Sequence, residues 1–171
     1  MKHFAEGKFK KQTKLLPEKI YVYVRDYIAR GSVEALVMNK KRTKVLLGKR
    51  IIWPWPNWWT FGSRMKAGES PAEAVSRTVR EDIGLKIFPG RFIFLDTMSL
   101  VWSKRQEPPQ KDGCHDLALF HLLLIDERES LSIRLRAAEY EKTEWFDPKD
   151  VAVKAGFHPS TVECLKQALK I

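Results

Sequence analysis

The chain has 171 residues, 31 Lys+Arg against 21 Asp+Glu, 44% hydrophobic residues and two cysteines. Those figures describe a single globular domain with a sizeable core, and they exclude a disulfide scaffold. Cys114 and Cys164 offer neither a disulfide framework nor metal-ligand spacing, as expected of a reduced, cytoplasmic protein.

Residues 1–19 carry six lysines and two glutamates, so +4 of the formal +10 falls on a basic tail, with a single domain expected over residues 20–171. The tail lacks the apolar run and cleavage site of an export signal. The longest apolar run, residues 117–125, is interrupted by His121 and is far short of the roughly 20 residues that cross a bilayer. Neither export nor membrane insertion is expected. The positive balance suits phosphate-bearing ligands or nucleic acid, although solubility alone is the simpler explanation of a basic tail.

Residues 17–29 predict a helix with Pro17 at its first position, or a strand on their Tyr and Val content. Residues 33–38 and 44–50 predict two paired strands around the polar turn 39–43. In residues 51–59, IIWPWPNWW, Pro54 and Pro56 remove donors and fix φ, so an aromatic loop is expected. Ser70-Pro71-Ala72-Glu73 reads as a capping box, starting a helix that runs to about Ile83 and stops at Gly84. Strands are expected at 91–102, 116–125 and 139–146, a polar loop at 103–113 and a last helix at 160–169. Interleaved helices and strands with some hairpins favour a mixed α/β sheet packed between helices over a doubly wound fold.

Within the first long helix, Thr78, Glu81 and Asp82 are spaced to share one face. Two acids in the last turn sit at the negative end of the helix dipole, so a positive group is expected beside them. A hard cation such as Mg²⁺, held by one or two carboxylates and completed by phosphate oxygens, would serve. The plainer alternative pairs Glu81 with Arg77 and leaves Asp82 solvated.

Residues 62–69, GSRMKAGE, followed by Arg77, Glu81, Asp82, Gly84 and Leu85, resemble the signature of the Nudix hydrolase family, G-x5-E-x7-R-E-U-x-E-E-x-G-U with U aliphatic. The box occupies residues 63–85 without insertion or deletion, and LLGKR at 46–50 with Trp58 also resembles the family. The resemblance spans roughly residues 32–147 and implies an α/β/α sandwich with a mixed sheet. Three positions depart from it: Ser63 for Gly, Asp82 for the last Glu, and Thr78 for the Glu that follows Arg77. A neutral hydroxyl replaces neither a carboxylate ligand nor a base.

GDP-mannose mannosyl hydrolases also lack the Glu after the box Arg. Similarity to them implies metal ligands at the Gly62 carbonyl, Asp82 and Glu139, alongside Glu81 of the box, and Arg50 as the group that neutralises a diphosphate. Tyr140 stands where they have a histidine base, which leaves Glu139, Glu141, Glu81 or His115 as candidates. Lys49 and Arg64 join Arg50 as candidate phosphate contacts, and Trp53, Trp55 and His115 as candidate substrate contacts. Arg77 is expected to orient the box through Glu69 or Glu81, and a zinc site at Cys114 and His115 lacks a second pair of ligands. The resemblance therefore implies Mg²⁺-dependent hydrolysis, with Mn²⁺ as an alternative ion, of a nucleoside diphosphate linked to another moiety such as a nucleotide sugar. Water would attack phosphorus or the sugar carbon. A homodimer is consistent with it. The competing reading is a catalytically silent nucleotide- or RNA-binding module, with nucleic acid the less favoured partner.

Overall fold

In the computed structural model, residues 1–171 are described except Lys8, which belongs to the basic tail, and Leu15. Helix α1 (Glu18–Arg25) is followed by strands β1 (Arg30–Asn39), β2 (Val45–Arg50), β3 (Trp58–Trp59) and β4 (Phe61–Arg64), then helix α2 (Pro71–Ile83). Strands β5 (Ile93–Trp102) and β6 (Cys114–Ile125), the short helix α3 (Glu127–Leu131), strand β7 (Tyr140–Phe146) and helices α4 (Pro148–Val153) and α5 (Pro159–Lys170) complete the chain. The aromatic loop thus contains a short element that its prolines seemed to exclude. Trp58 and Trp59 lie beyond both prolines and pair with Lys49 and Gly48 of β2.

The sheet is mixed. Strand β1 runs parallel to β6 from Arg30↔Asp116 to Asn39↔Ile125, and β5 closes that side antiparallel to β6. On its other side β1 changes partner along its length: Val37 and Met38 pair with β2, whereas residues 32–35 pair with β4. Strand β2 also pairs with β7, and that register shifts between Lys49 and Arg50.

Alternation along the strands divides the core into two layers. Val33, Ala35 and Val37 face α2 together with Leu119 and Leu123, while Leu36, Met38, Ala118 and Phe120 pack toward Cys164, Leu165 and Ala168 of α5. The fold is an α/β/α sandwich. Helix α2 starts as its sequence dictates: Ser70 accepts from the Glu73 amide while the Glu73 carboxylate accepts from Ser70 N, and Gly84 ends it at φ 75°. Part of the N-terminal segment lies against this start. Gln12 N donates to the Ala67 carbonyl at 2.9 Å, and Lys11 reaches Glu73 at 2.7 Å.

Candidate functional site

A cleft of about 580 Å³ opens where β1 changes partner from β2 to β4. Its floor is one face of two strands: Arg30, Ser32 and Glu34 of β1, beside Cys114 and Asp116 of β6. Arg50, Gly62, Ser63, Arg64, Arg77, Glu81, Arg136 and Glu139 form the wall next to the box. Cations outnumber carboxylates along that wall, which suits a polyanionic ligand.

Arg77 holds the box together. Its guanidinium donates to both Glu69 oxygens at 2.6 and 2.9 Å, to Glu81 at 3.0 Å and to the Arg64 carbonyl at 3.0 Å. This bidentate pairing fixes the loop before α2 against the helix and holds the Glu69 carboxyl below its usual pKa against the opposing effect of burial. Thr78 is fully buried. Its hydroxyl lies 2.5 Å from Ser63 Oγ and donates to the Ala74 carbonyl at 2.9 Å, so two of the three unusual box residues form a hydroxyl pair, with Thr78 on the buried side and Ser63 on the cleft side.

Asp82 is almost completely buried, and burial followed by repulsion from Glu139 raises its pKa to about 7. The Tyr140 hydroxyl lies 3.3 Å from both an Asp82 oxygen and the Thr60 carbonyl. Tyr140 is itself buried and its pKa is driven well above the ordinary phenol value, first by burial and then by Asp82, so it serves as a donor to Asp82. Glu139 approaches Arg136 at 3.0 Å and Arg50 at 4.0 Å. Arg50 Nε is buried without a hydrogen-bond partner among the described residues.

Among the described residues no three His, Cys, Asp or Glu side chains converge as a metal cage. Asp82 and Glu139 do repel each other, and carboxylates of that kind are the hard oxygen donors that a cation completed by phosphate oxygens and water would use. Glu81 lines the same cleft as Glu139 but is engaged by Arg77. The Gly62 backbone lies beside Glu34: a Cβ there would fall 2.1 Å from the Glu34 carboxylate, so any larger residue would displace that carboxylate from its donors Thr60 and Trp59.

Lys49, Trp55 and His115 do not line the cleft. Lys49 donates to Asn57 at 2.8 Å, on the opposite side of β2 from Arg50. Trp55 packs edge-on against His158, with ring centroids 4.9 Å apart, and His115 meets Ser99 at 2.9 Å on the face of β6 away from Asp116. Trp53 and Arg64 do line it.

Glu34 lines the cleft without having been singled out from sequence. Burial raises its pKa to about 7 against a 2.6 Å hydrogen bond from Thr60, and Trp59 Nε1 donates to the same oxygen at 3.0 Å. The signal was present: an acid inside the apolar run Val33-Glu34-Ala35-Leu36 must meet donors or solvent. The Arg30–Asp116 pair, bidentate at 2.8 Å, was also passed over because its partners are far apart in sequence.

The chain matches the NUDIX domain over residues 29–167. It belongs to the NUDIX family. No curated protein sequence matches this NUDIX chain. Among solved structures, the MutT NUDIX hydrolase of Burkholderia pseudomallei is similar at 21% identity and TM-score 0.65, covering 82% of this chain and 98% of that one. The NUDIX domain of Shewanella oneidensis NrtR, complexed with ADP ribose, is similar at 16% identity and TM-score 0.62, covering 91% and 98%. A Caenorhabditis elegans Ap4A hydrolase gives 13% and 0.60, covering 83% and 96%. At such identities the likeness is one of fold. Among the described residues no helix is long and apolar enough to cross a membrane.

Proposed function

We propose that this NUDIX protein is a divalent-metal-dependent hydrolase of a nucleoside diphosphate linked to a second group, a nucleotide sugar being the favoured class. The observation that carries the reading is that Arg50, whose Nε has no hydrogen-bond partner among the described residues, lines one cleft with Glu139, and that Glu139 repels the Asp82 carboxylate buried behind that wall. A diphosphate needs opposed cations, and the repulsion between Asp82 and Glu139, relieved by a proton on Asp82 near neutral pH, would be relieved equally by a metal ion. The names of the similar structures support a nucleotide-derived ligand, ADP ribose in one and Ap4A in another.

In this reading Asp82 and Glu139 hold Mg²⁺ or Mn²⁺, with Glu81 and the Gly62 carbonyl as further donors. A bound ion would neutralise the diphosphate and the charge that develops on the leaving group. Arg50 contributes two-pronged phosphate binding, and Arg77 keeps Glu69 and Glu81 in place. Glu139 and Glu81 remain the candidate bases, joined by Glu34, whose carboxyl near pH 7 is suited to exchanging a proton.

Nucleotide sugars, dinucleotides and nucleoside triphosphates assayed with Mg²⁺ or Mn²⁺ test this. Turnover on a diphosphate-linked substrate is expected, and Asp82→Ala lowers it by about 10²-fold or more while weakening Mn²⁺ binding measured by electron paramagnetic resonance. Absence of turnover across the panel, with tight and salt-sensitive RNA binding, would replace the proposal with a silent binding module.

A further inference from the structure

The cleft wall includes a segment that the box does not position. Residues 103–113 contribute Arg105, Gln106 and Glu107 to it, and this loop is held from behind by α1 and its C-terminal flank. Arg105 is 1% exposed and donates to Asp26 and, at 3.1 Å, to the Gly113 carbonyl. Arg25, whose side chain is fully buried, donates to the Pro108 carbonyl at 2.6 Å. Burying two arginines is costly unless their charges are paired, and Asp26 pairs with both, so the clamp holds this loop in one position.

These contacts place the Glu107 carboxylate between Arg25 at 4.0 Å and Arg64 at 3.9 Å. Both distances are too long for hydrogen bonds, and Arg25 Nη1 has no hydrogen-bond partner among the described residues. The acceptor capacity of Glu107 is therefore left for a ligand. Trp53 lines the same cleft, and the ammonium of Lys104, from the Glu107 loop, lies 4.4 Å from its ring centroid. One loop thus supplies the acid and steadies the indole.

We propose that Trp53 and Glu107 form a nucleobase subsite, in which the base stacks on the indole and donates its edge N–H groups to the carboxylate. The proposal rests on the cleft being a nucleoside diphosphate site, and it adds the direction in which the ligand lies. The cations nearest this stretch are engaged by carboxylates, Arg30 by Asp116 and Arg105 by Asp26, whereas Arg50 Nε has no hydrogen-bond partner among the described residues, so phosphate is drawn to the Arg50 side. A flat π face suits any base, and the carboxylate discriminates among them by the N–H donors each presents.

The test compares binding of inorganic pyrophosphate with that of ADP, CDP, GDP and UDP by calorimetry, on the full chain with Mg²⁺. The wild type is expected to bind nucleoside diphosphates more tightly than pyrophosphate and to rank the bases by their N–H donors. Glu107→Gln should compress that ranking by about tenfold. Trp53→Ala should weaken all four nucleotides by about tenfold. Neither change should alter pyrophosphate binding. Unchanged nucleotide affinities in both variants, or equal losses for nucleotides and pyrophosphate, would overturn the subsite. Failure of the wild type to bind pyrophosphate, with Arg50→Ala changing nothing, would instead overturn the diphosphate reading beneath it.

Discussion

Thr78 and Ser63 show how a departure from a motif can be internally matched. A box carboxylate after Arg77 would need room and charge compensation, but Ser63 Oγ occupies the space 2.5 Å from the Thr78 hydroxyl. Thr78→Glu alone is therefore expected to force a carboxylate into a fully buried hydroxyl site, with a loss of about 3 kcal/mol or more in urea unfolding. Adding Ser63→Gly should recover part of that loss, because the two residues are in contact and their effects couple. Equal stability of the two variants would show that Ser63 does not fill the space. Single residues were legible unevenly. Arg77, Glu81 and Asp82 could be found because they are close in sequence, on one helix. Glu34 could not be assigned a role because its donors, Trp59 and Thr60, come from a loop whose path the sequence leaves open.

At the level of elements, α2 was readable to its ends because capping chemistry is local. Ser70→Ala should cost about 1 kcal/mol in thermal or denaturant unfolding, since it removes the acceptor for the Glu73 amide. The boundaries of β1, β5 and β6 extend or contract by one to three residues from the expected spans, as ladder pairing is decided by partners remote in sequence. Strand alternation explains why His115 and Lys49 left the cleft while their neighbours Asp116 and Arg50 stayed in it; which face is which depends on the layer that each strand meets. The same strand carries a pH-sensitive element. His121, buried on β6 with Phe94 edge-on to its ring, has its pKa lowered by burial to about 4. The unfolded chain takes up that proton near pH 6.5, so the folded state loses stability as pH falls from about 6.5 to about 4, by on the order of 3 kcal/mol. His121→Leu is expected to flatten this part of the stability profile in denaturant titrations at pH 7, 5.5 and 4. An unchanged acid slope would place the sensitivity elsewhere.

Across the whole molecule, the sandwich was legible from the alternation of elements, whereas the clamp between the flank of α1 and the loop 103–113 was not. Its two arginines lie in segments that read from sequence as a helix or strand and a polar loop, yet Arg105 is nearly inaccessible. Arg105→Ala is expected to leave the Gly113 carbonyl without its donor and Asp26 with only the 3.4 Å contact from Arg25 Nε, and to destabilise the fold by about 2–4 kcal/mol, with faster proteolysis between residues 103 and 113. A variant as resistant and stable as the wild type would show that the loop holds itself. The overall charge of +10 also acquires a location. Cationic residues of the body converge on the cleft, so ligand affinity should fall as ionic strength rises even when the tail is removed.

The parallel pairing of β1 with β6 sets an order of events during synthesis. Arg30 meets Asp116 and Asn39 meets Ile125, so the central ladder joins segments separated by most of the domain. As the chain emerges from the ribosome, β2, β4 and α2 are made before β1 has its longest partner, and the cleft floor cannot close until β6 has followed. Contacts of such long separation make folding slow relative to a helical protein of the same size. The nascent chain therefore presents β1 with its β6 edge unpaired for the time needed to add about 85 residues, at about five to twenty residues per second. Until β6 is made, that open edge is where the nascent chain is most exposed to pairing with a wrong strand.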